Sequence, residues 1–148
     1  MLPEKYKFWI VNNLGQDIDY DDGGRIDLRL KPWKLVAGVR TEIDVITDDF
    51  AFSAADQITN EAFEAMETPV DNTTNKGYGL HGSLHLVADN AASLGSVDLY
   101  VEYTDDAGSF PSALTTVQNP EKYLTFLTSI QVPAGHSADD AYTVNFEM

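Results

Sequence analysis

The stretch Gly95–Ala113, GSVDLYVEYTDDAGSFPSA, decides the fold class. Val97, Leu99, Val101 and Tyr103 alternate with Ser96, Asp98, Glu102 and Thr104, and Tyr100 is the exception on the second face. Successive side chains of a strand point to opposite faces, so this period of two predicts a strand buried on one side. The strand runs into Asp105-Asp106-Ala107-Gly108, a turn of short polar residues and a glycine. Phe110-Pro111-Ser112 then re-enters the protein.

The same period recurs on either side. Lys5–Asn12 (KYKFWIVN) has Tyr6, Phe8 and Ile10 on one face and Trp9 and Val11 on the other. A strand apolar on both faces is expected in the middle of a sheet, or covered by a second subunit. Asp17–Tyr20 reads as a short strand before the Asp21-Asp22-Gly23-Gly24 turn. In Arg25–Leu30, Ile26, Leu28 and Leu30 point inward while Arg25, Asp27 and Arg29 point outward. Pro32 has no N–H to give to a ladder, so an edge or a bend is expected there. Val39–Thr47 alternates again, as does Gly79–Val87, and Tyr123–Val132 and Tyr142–Phe146 follow as further strands. One segment breaks the pattern. In Thr59–Thr68, Ile58, Ala62, Ala65 and Met66 fall at three- and four-residue spacing opposite Glu61, Glu64 and Glu67, which predicts a short helix stopped by Pro69. The expected architecture is all-β: one antiparallel β-sandwich domain over residues 1–148, jelly-roll-like, with one short helix in a connection.

Composition narrows function. The chain has 148 residues, 43% hydrophobic and 11% aromatic, enough for one domain with its own core. It has no cysteine, which removes disulfides, thiolate metal sites and a Cys nucleophile. The N-terminal MLPEKYKFWIVNN lacks the apolar core and small-residue cleavage site of a signal peptide, and no stretch approaches the roughly 18 apolar residues of a membrane span. The net charge of -15 argues against nucleic acid and against anionic membranes, because both are held by Lys and Arg. The charge is uneven. Up to position 40 there are seven basic and six acidic residues, a net +1; beyond it two basic residues face eighteen acidic ones, a net -16. The acidic part reads either as a solubilising surface or as a body steered toward a basic partner, with residues 1–40 as a docking arm plus the first strands.

Chemical motifs are few. Asp17, Asp19 and Asp21 begin like a calcium loop, but Asp22 stands where glycine is needed and Leu28 where a bidentate Glu is needed. His81 and His85 share a face of a strand at roughly 13 Å, too far for one ion. Asn72-Thr73-Thr74 matches a glycosylation sequon without a secretion signal beside it. No G-x-S-x-G elbow, phosphate-binding loop or dinucleotide fingerprint occurs. The chain is therefore read as non-enzymatic, with no cofactor and no metal.

The run SVDLYVEYTDDAGSFPS resembles one found in small β-sandwich proteins of tailed-bacteriophage particles, across Gly82–Ser112, with a weaker echo in Tyr123–Pro133. The resemblance implies a head-decoration, neck or tail component located in the virion and made in the host cytoplasm. It implies structural roles for Tyr100, Tyr103, Asp105, Gly108 and Phe110. It also implies contacts with copies of itself, a trimer being favoured, and with major capsid or tail proteins. The turn is Asp-Asp-Ala-Gly where these relatives more commonly have Ser-x-Asp-Gly. The rival reading is a carbohydrate- or receptor-binding sandwich, which requires an exposed coplanar aromatic pair such as Trp33 with a tyrosine. On either reading the candidate interface residues are Trp9, Arg25, Arg29, Lys31, Trp33 and Lys34. Trp33 is included because Lys31, Pro32 and Lys34 flank it in a segment that does not read as strand.

Overall fold

Alternation of apolar and polar residues produces strands nearly everywhere it occurs. The structure, a computed structural model, describes residues 2–19, 23–48, 50, 57–66, 68–88, 94–104, 109–110 and 124–148. Its strands are β1 (Lys5–Asn13), β2 (Ile18–Asp19), β3 (Arg25–Val36), β4 (Val39–Glu42), β5 (Ile46–Asp48), β6 (Gln57–Ile58), β7 (Phe63–Ala65), β8 (Val70–Asp71), β9 (Gly79–Val87), β10 (Gly95–Tyr103), β11 (Thr125–Val132) and β12 (Ala141–Glu147). The deciding stretch supplies β10; its Asp105–Gly108 turn lies outside the described residues.

Two five-stranded antiparallel sheets result. The first runs β11-β10-β1-β7 with β8 also on β1, the second runs β12-β9-β3-β4 with β5 also on β3, and β2 and β6 form a small third sheet. Strand β1 is flanked on both sides, by β10 and by β7 with β8, as its two apolar faces require. Tyr6, Phe8, Ile10, Val97, Leu99 and Val101 of the first sheet share one core cluster with Ile26, Leu28, Leu30, Leu80, Leu84 and Leu86 of the second, each no more than 1% exposed. Phe8 and Phe146 bridge the sheets with ring centroids 5.9 Å apart. Burial of each such side chain stabilises the fold by roughly 1.5–3 kcal/mol. Gly82 sits opposite Phe146 in the β9–β12 ladder, and the Phe146 ring occupies the space where a Cβ would stand.

Three expectations are corrected. The helix expected at Thr59–Thr68 does not form; the described part of that segment is a turn and strand β7, and no helix occurs among the described residues. The cause is the open edge of β1: the Asn12 amide reaches Ala62 O at 3.2 Å and the Met66 amide reaches Phe8 O at 3.0 Å. Ladder bonds to a central strand outweigh weak helix propensity in a segment this short. Val39–Thr47 is not one strand but β4 and β5, both paired to the same side of β3. Strand β3 does not bend away at Pro32 but continues to Val36. In an antiparallel ladder a residue's N–H and C=O point the same way. Pro32 O accepts the Ile43 amide at 2.8 Å, so the strand is still held there, and the one ladder bond lost for want of an N–H falls at the junction between β4 and β5, where neither strand pairs with β3.

Candidate interaction surface

Strand β3 gathers most of the candidate residues. Arg25, Arg29, Lys31 and Trp33 share its outward parity, and Lys34 points to the opposite face. The registers set His81, Ser83 and His85 of β9 beside them, Thr143, Asn145 and Glu147 of β12 beyond, and Glu42 of β4 opposite Trp33. The outer face of the second sheet is thus polar and charged. It holds Arg25, Arg29, Lys31 and Arg40, four of the chain's nine basic residues, against Asp27, Glu42 and Glu147. On a molecule of charge -15 this is the place where positive charge collects.

The charges are knitted together. Arg25 Nε donates to Asp27 Oδ2 at 2.9 Å, and Lys31 Nζ meets Glu42 Oε2 at 2.6 Å. The Lys31 hydrogen bond is the main reason the Glu42 carboxyl titrates below its usual range, with the charges of Lys31, Arg40 and His81 adding to it. His81 lies between Glu147 Oε1, 2.9 Å from its Nδ1, and the Arg40 guanidinium, which contacts its Nε2. His85 Nδ1 is 2.8 Å from Thr143 Oγ1. A groove of about 1100 Å³ opens beside this face, lined in part by Arg25, Arg29, Thr47, Asp71, His85 and Thr143. The Thr73 hydroxyl and then its amide hold the Asp71 carboxyl below its ordinary range. Arg29 has no ion pair among the described residues.

Trp33 is half-buried and lies within β3, not in a non-strand segment. Its ring packs on Gly79, where a Cβ would come within 2.8 Å of Cζ2. Tyr78 stacks with it at 6.4 Å and 18°, and the Arg40 guanidinium sits 4.8 Å from the ring centre. Arg40 and Glu42 belong to this cluster yet do not stand out in the sequence, and nothing there places His81 or Tyr78 beside Trp33. The signal that groups them is the β3–β9 and β3–β4 register, which one sequence does not display.

Past Trp33 the sheet narrows. Strand β9 ends its pairing with β3 at Trp33, while β3 and β4 continue as a two-stranded ribbon to the pair Val36–Val39. Leu35, Val36 and Val39 are 45%, 50% and 66% exposed. Every residue of this ribbon from 35 to 42 is exposed.

Trp9 is placed elsewhere, buried within its own chain on the outer side of the first sheet with Val11, Phe63 and Leu124. Its Nε1 donates to Glu102 Oε2 at 2.8 Å, and Lys7 Nζ lies 3.3 Å from the same oxygen and 4.4 Å from the Trp9 ring. Glu102 is fully buried. The sequon is used internally: Asn72 is 5% exposed and its Nδ2 donates to Leu2 O and Pro3 O, both at 3.2 Å. Asp17 Oδ1 accepts the Asn60 amide at 2.7 Å, and Asp21 and Asp22 lie outside the described residues. Among the described residues no three His, Cys, Asp or Glu side chains gather as a metal site. Compared with known proteins, the chain matches no protein-family model, no curated protein and no solved structure.

Proposed function

We propose that the chain is a non-enzymatic structural component of a tailed-bacteriophage particle, working by protein–protein contact with copies of itself and with capsid or tail proteins. The observation that carries this reading is the β3–β4 ribbon. It projects past β9 with Leu35, Val36 and Val39 exposed at its tip, and a water-facing apolar tip beside a charged face is the form of a docking element. The likeness of Gly82–Ser112 to phage sandwich proteins supplies the particle. The strand order agrees with a jelly-roll-like arrangement, because the β3–β9 pair is nested in sequence inside the β1–β10 pair. Among the particle roles we favour decoration of the head, with neck and tail as alternatives. The test is quantitative mass spectrometry of density-purified particles from the phage encoding the chain. Stoichiometric copies are expected, with lower tolerance of heat and low salt in particles lacking the gene. Purified particles free of the chain would overturn the proposal.

A second reading has one observation of its own. The Trp33–Tyr78 pair is near-parallel and Tyr78 is 43% exposed, a platform on which a sugar ring could stack. Arg40 already lies over the Trp33 ring, which favours the structural reading. Binding on a glycan array that is lost in Tyr78→Ala would reverse that preference.

A further inference from the structure

We infer that β4 is a self-complementary edge, and that two copies of the chain join along it as a two-fold antiparallel pair, making one continuous sheet from their second sheets.

The backbone allows this pairing in few registers. Ala37 and Gly38 have φ of 50° and 81°, the left-handed pair of a two-residue type I′ hairpin turn. The residues flanking such a turn form a hydrogen-bonded pair, so Val39 turns its N–H and C=O toward Val36 of β3. Alternation carries that direction to Thr41 and then to Ile43, whose amide does reach Pro32 O at 2.8 Å on the β3 side. Arg40 and Glu42 therefore point their N–H and C=O away from β3. Among the described residues no strand pairs with that edge. Only registers that set these two outward residues against outward residues of the second copy can close a ladder.

Charge then selects one register. Arg40 opposite Arg40, or Glu42 opposite Glu42, places like charges face to face, which is destabilising. The remaining symmetric register puts Arg40 opposite Glu42 of the second copy and Glu42 opposite its Arg40. Thr41 then meets itself on the two-fold axis, and Val39 lies opposite Ile43. Opposite charges, paired threonines and apolar β-branched pairs are the combinations that stabilise neighbouring strands. The Lys31–Glu42 pair and the Arg40–His81 contact lie on that same outer face, so the new ion pairs extend a network already present. All four residues of β4 are exposed, Val39 at 66%, and the pairing covers them. An uncovered edge strand of this kind invites association, and a two-fold axis limits it to a closed pair.

The experiment is charge exchange read by light scattering on the purified full chain. R40E and E42R should each weaken self-association by about tenfold or more, since each sets like charges opposite in two symmetric places. Mixed in equal amounts, the two variants should recover the dimer, because every opposed pair between them is again Arg with Glu. The chain has no cysteine, so Thr41→Cys gives a second readout. In this register the Cα atoms of position 41 in the two copies approach to about 4.5 Å, within disulfide range, and oxidation of the Thr41→Cys variant should cross-link it. Val39→Cys should not cross-link, because residue 39 of each copy lies about four residues along the ladder from its counterpart. Circular dichroism confirms that each variant is folded. A monomeric wild-type chain at high concentration, a mixture of R40E and E42R that stays monomeric, or cross-linking at position 39 in place of position 41 would overturn the inference. None of these readouts needs a phage particle, so the contact is tested separately from the proposed function.

Discussion

Trp9 and Arg25 both make short polar contacts, and the surroundings decide what each contributes. The Trp9 indole donates to a carboxylate with no exposure to water, whereas the Arg25–Asp27 pair has side chains 60% and 25% exposed. Trp9→Phe keeps the packing against Val11, Phe63 and Leu124 but takes one donor from the buried Glu102 oxygen. It should cost about 1–2 kcal/mol, the lower part of the range for a buried charged acceptor, because Lys7 remains beside it. Arg25→Ala should change stability by less than about 0.5 kcal/mol, since solvent screens an exposed pair. Urea unfolding at unchanged m-value measures both, and equal losses would mean that the Glu102 bond adds nothing. The sequence exposes half of this arrangement. Alternation in Gly95–Thr104 puts Glu102 on the face away from the core, which is correct, but direction along a strand says nothing about depth. The cover comes from β1, 93 residues away in sequence, and from Phe110 over Lys7.

Among the elements, long strands were legible and their partners were not. Strands β3, β9, β10 and β12 carry an alternation long enough to stand above chance, and β1 a run of aromatic and β-branched residues. Strand β7 has three residues, and what makes it a strand is the unpaired edge of β1, a tertiary cause. Pro32 read as an edge or a bend because its ladder neighbours were unknown; the one bond it cannot make falls where β5 gives way to β4. The Ala37-Gly38 turn went unread for a related reason, since Ala is an unfavourable residue at a φ of 50° and gives no turn signal. That mismatch carries a prediction. Ala37→Asn creates Asn-Gly, the preferred pair for a type I′ turn, and should stabilise the ribbon by roughly 0.5–1 kcal/mol. Because the ribbon projects past β9, it can open without the rest of the fold unfolding. The readout is therefore hydrogen exchange at the β3-facing amides of Val39 and Thr41, expected to slow roughly two- to fivefold. Unchanged exchange there would mean that the turn does not limit opening of the ribbon.

For the whole molecule, the 24 acidic and nine basic side chains set a net charge of -15 that no arrangement of pairs cancels. The attractive contacts are short: Arg25–Asp27 at 2.9 Å, Lys31–Glu42 at 2.6 Å and the buried Lys7–Glu102 at 3.3 Å. The repulsion is spread over the surface and acts at longer range. Raising NaCl from about 0.01 M to about 1 M shortens the Debye length from ~30 Å to ~3 Å, which removes long-range repulsion while sparing contacts at bonding distance. Salt should therefore raise the melting temperature at pH 7. Acid acts in two directions. Glu42 and Asp71 have lowered pKa values in the fold, so their contributions are present above the ordinary carboxylate range and are lost as pH falls through the lowered values. Both carboxylates are exposed, so that loss is small. Approaching the isoelectric point near 4.2 discharges the whole surface, and that larger change removes what salt was screening. Thermal scans of dilute protein should thus show a clear salt increment at pH 7 that shrinks toward pH 4.5. A melting temperature at pH 7 that falls with added salt would mean that the local ion pairs, and not the net charge, govern the electrostatics of this fold.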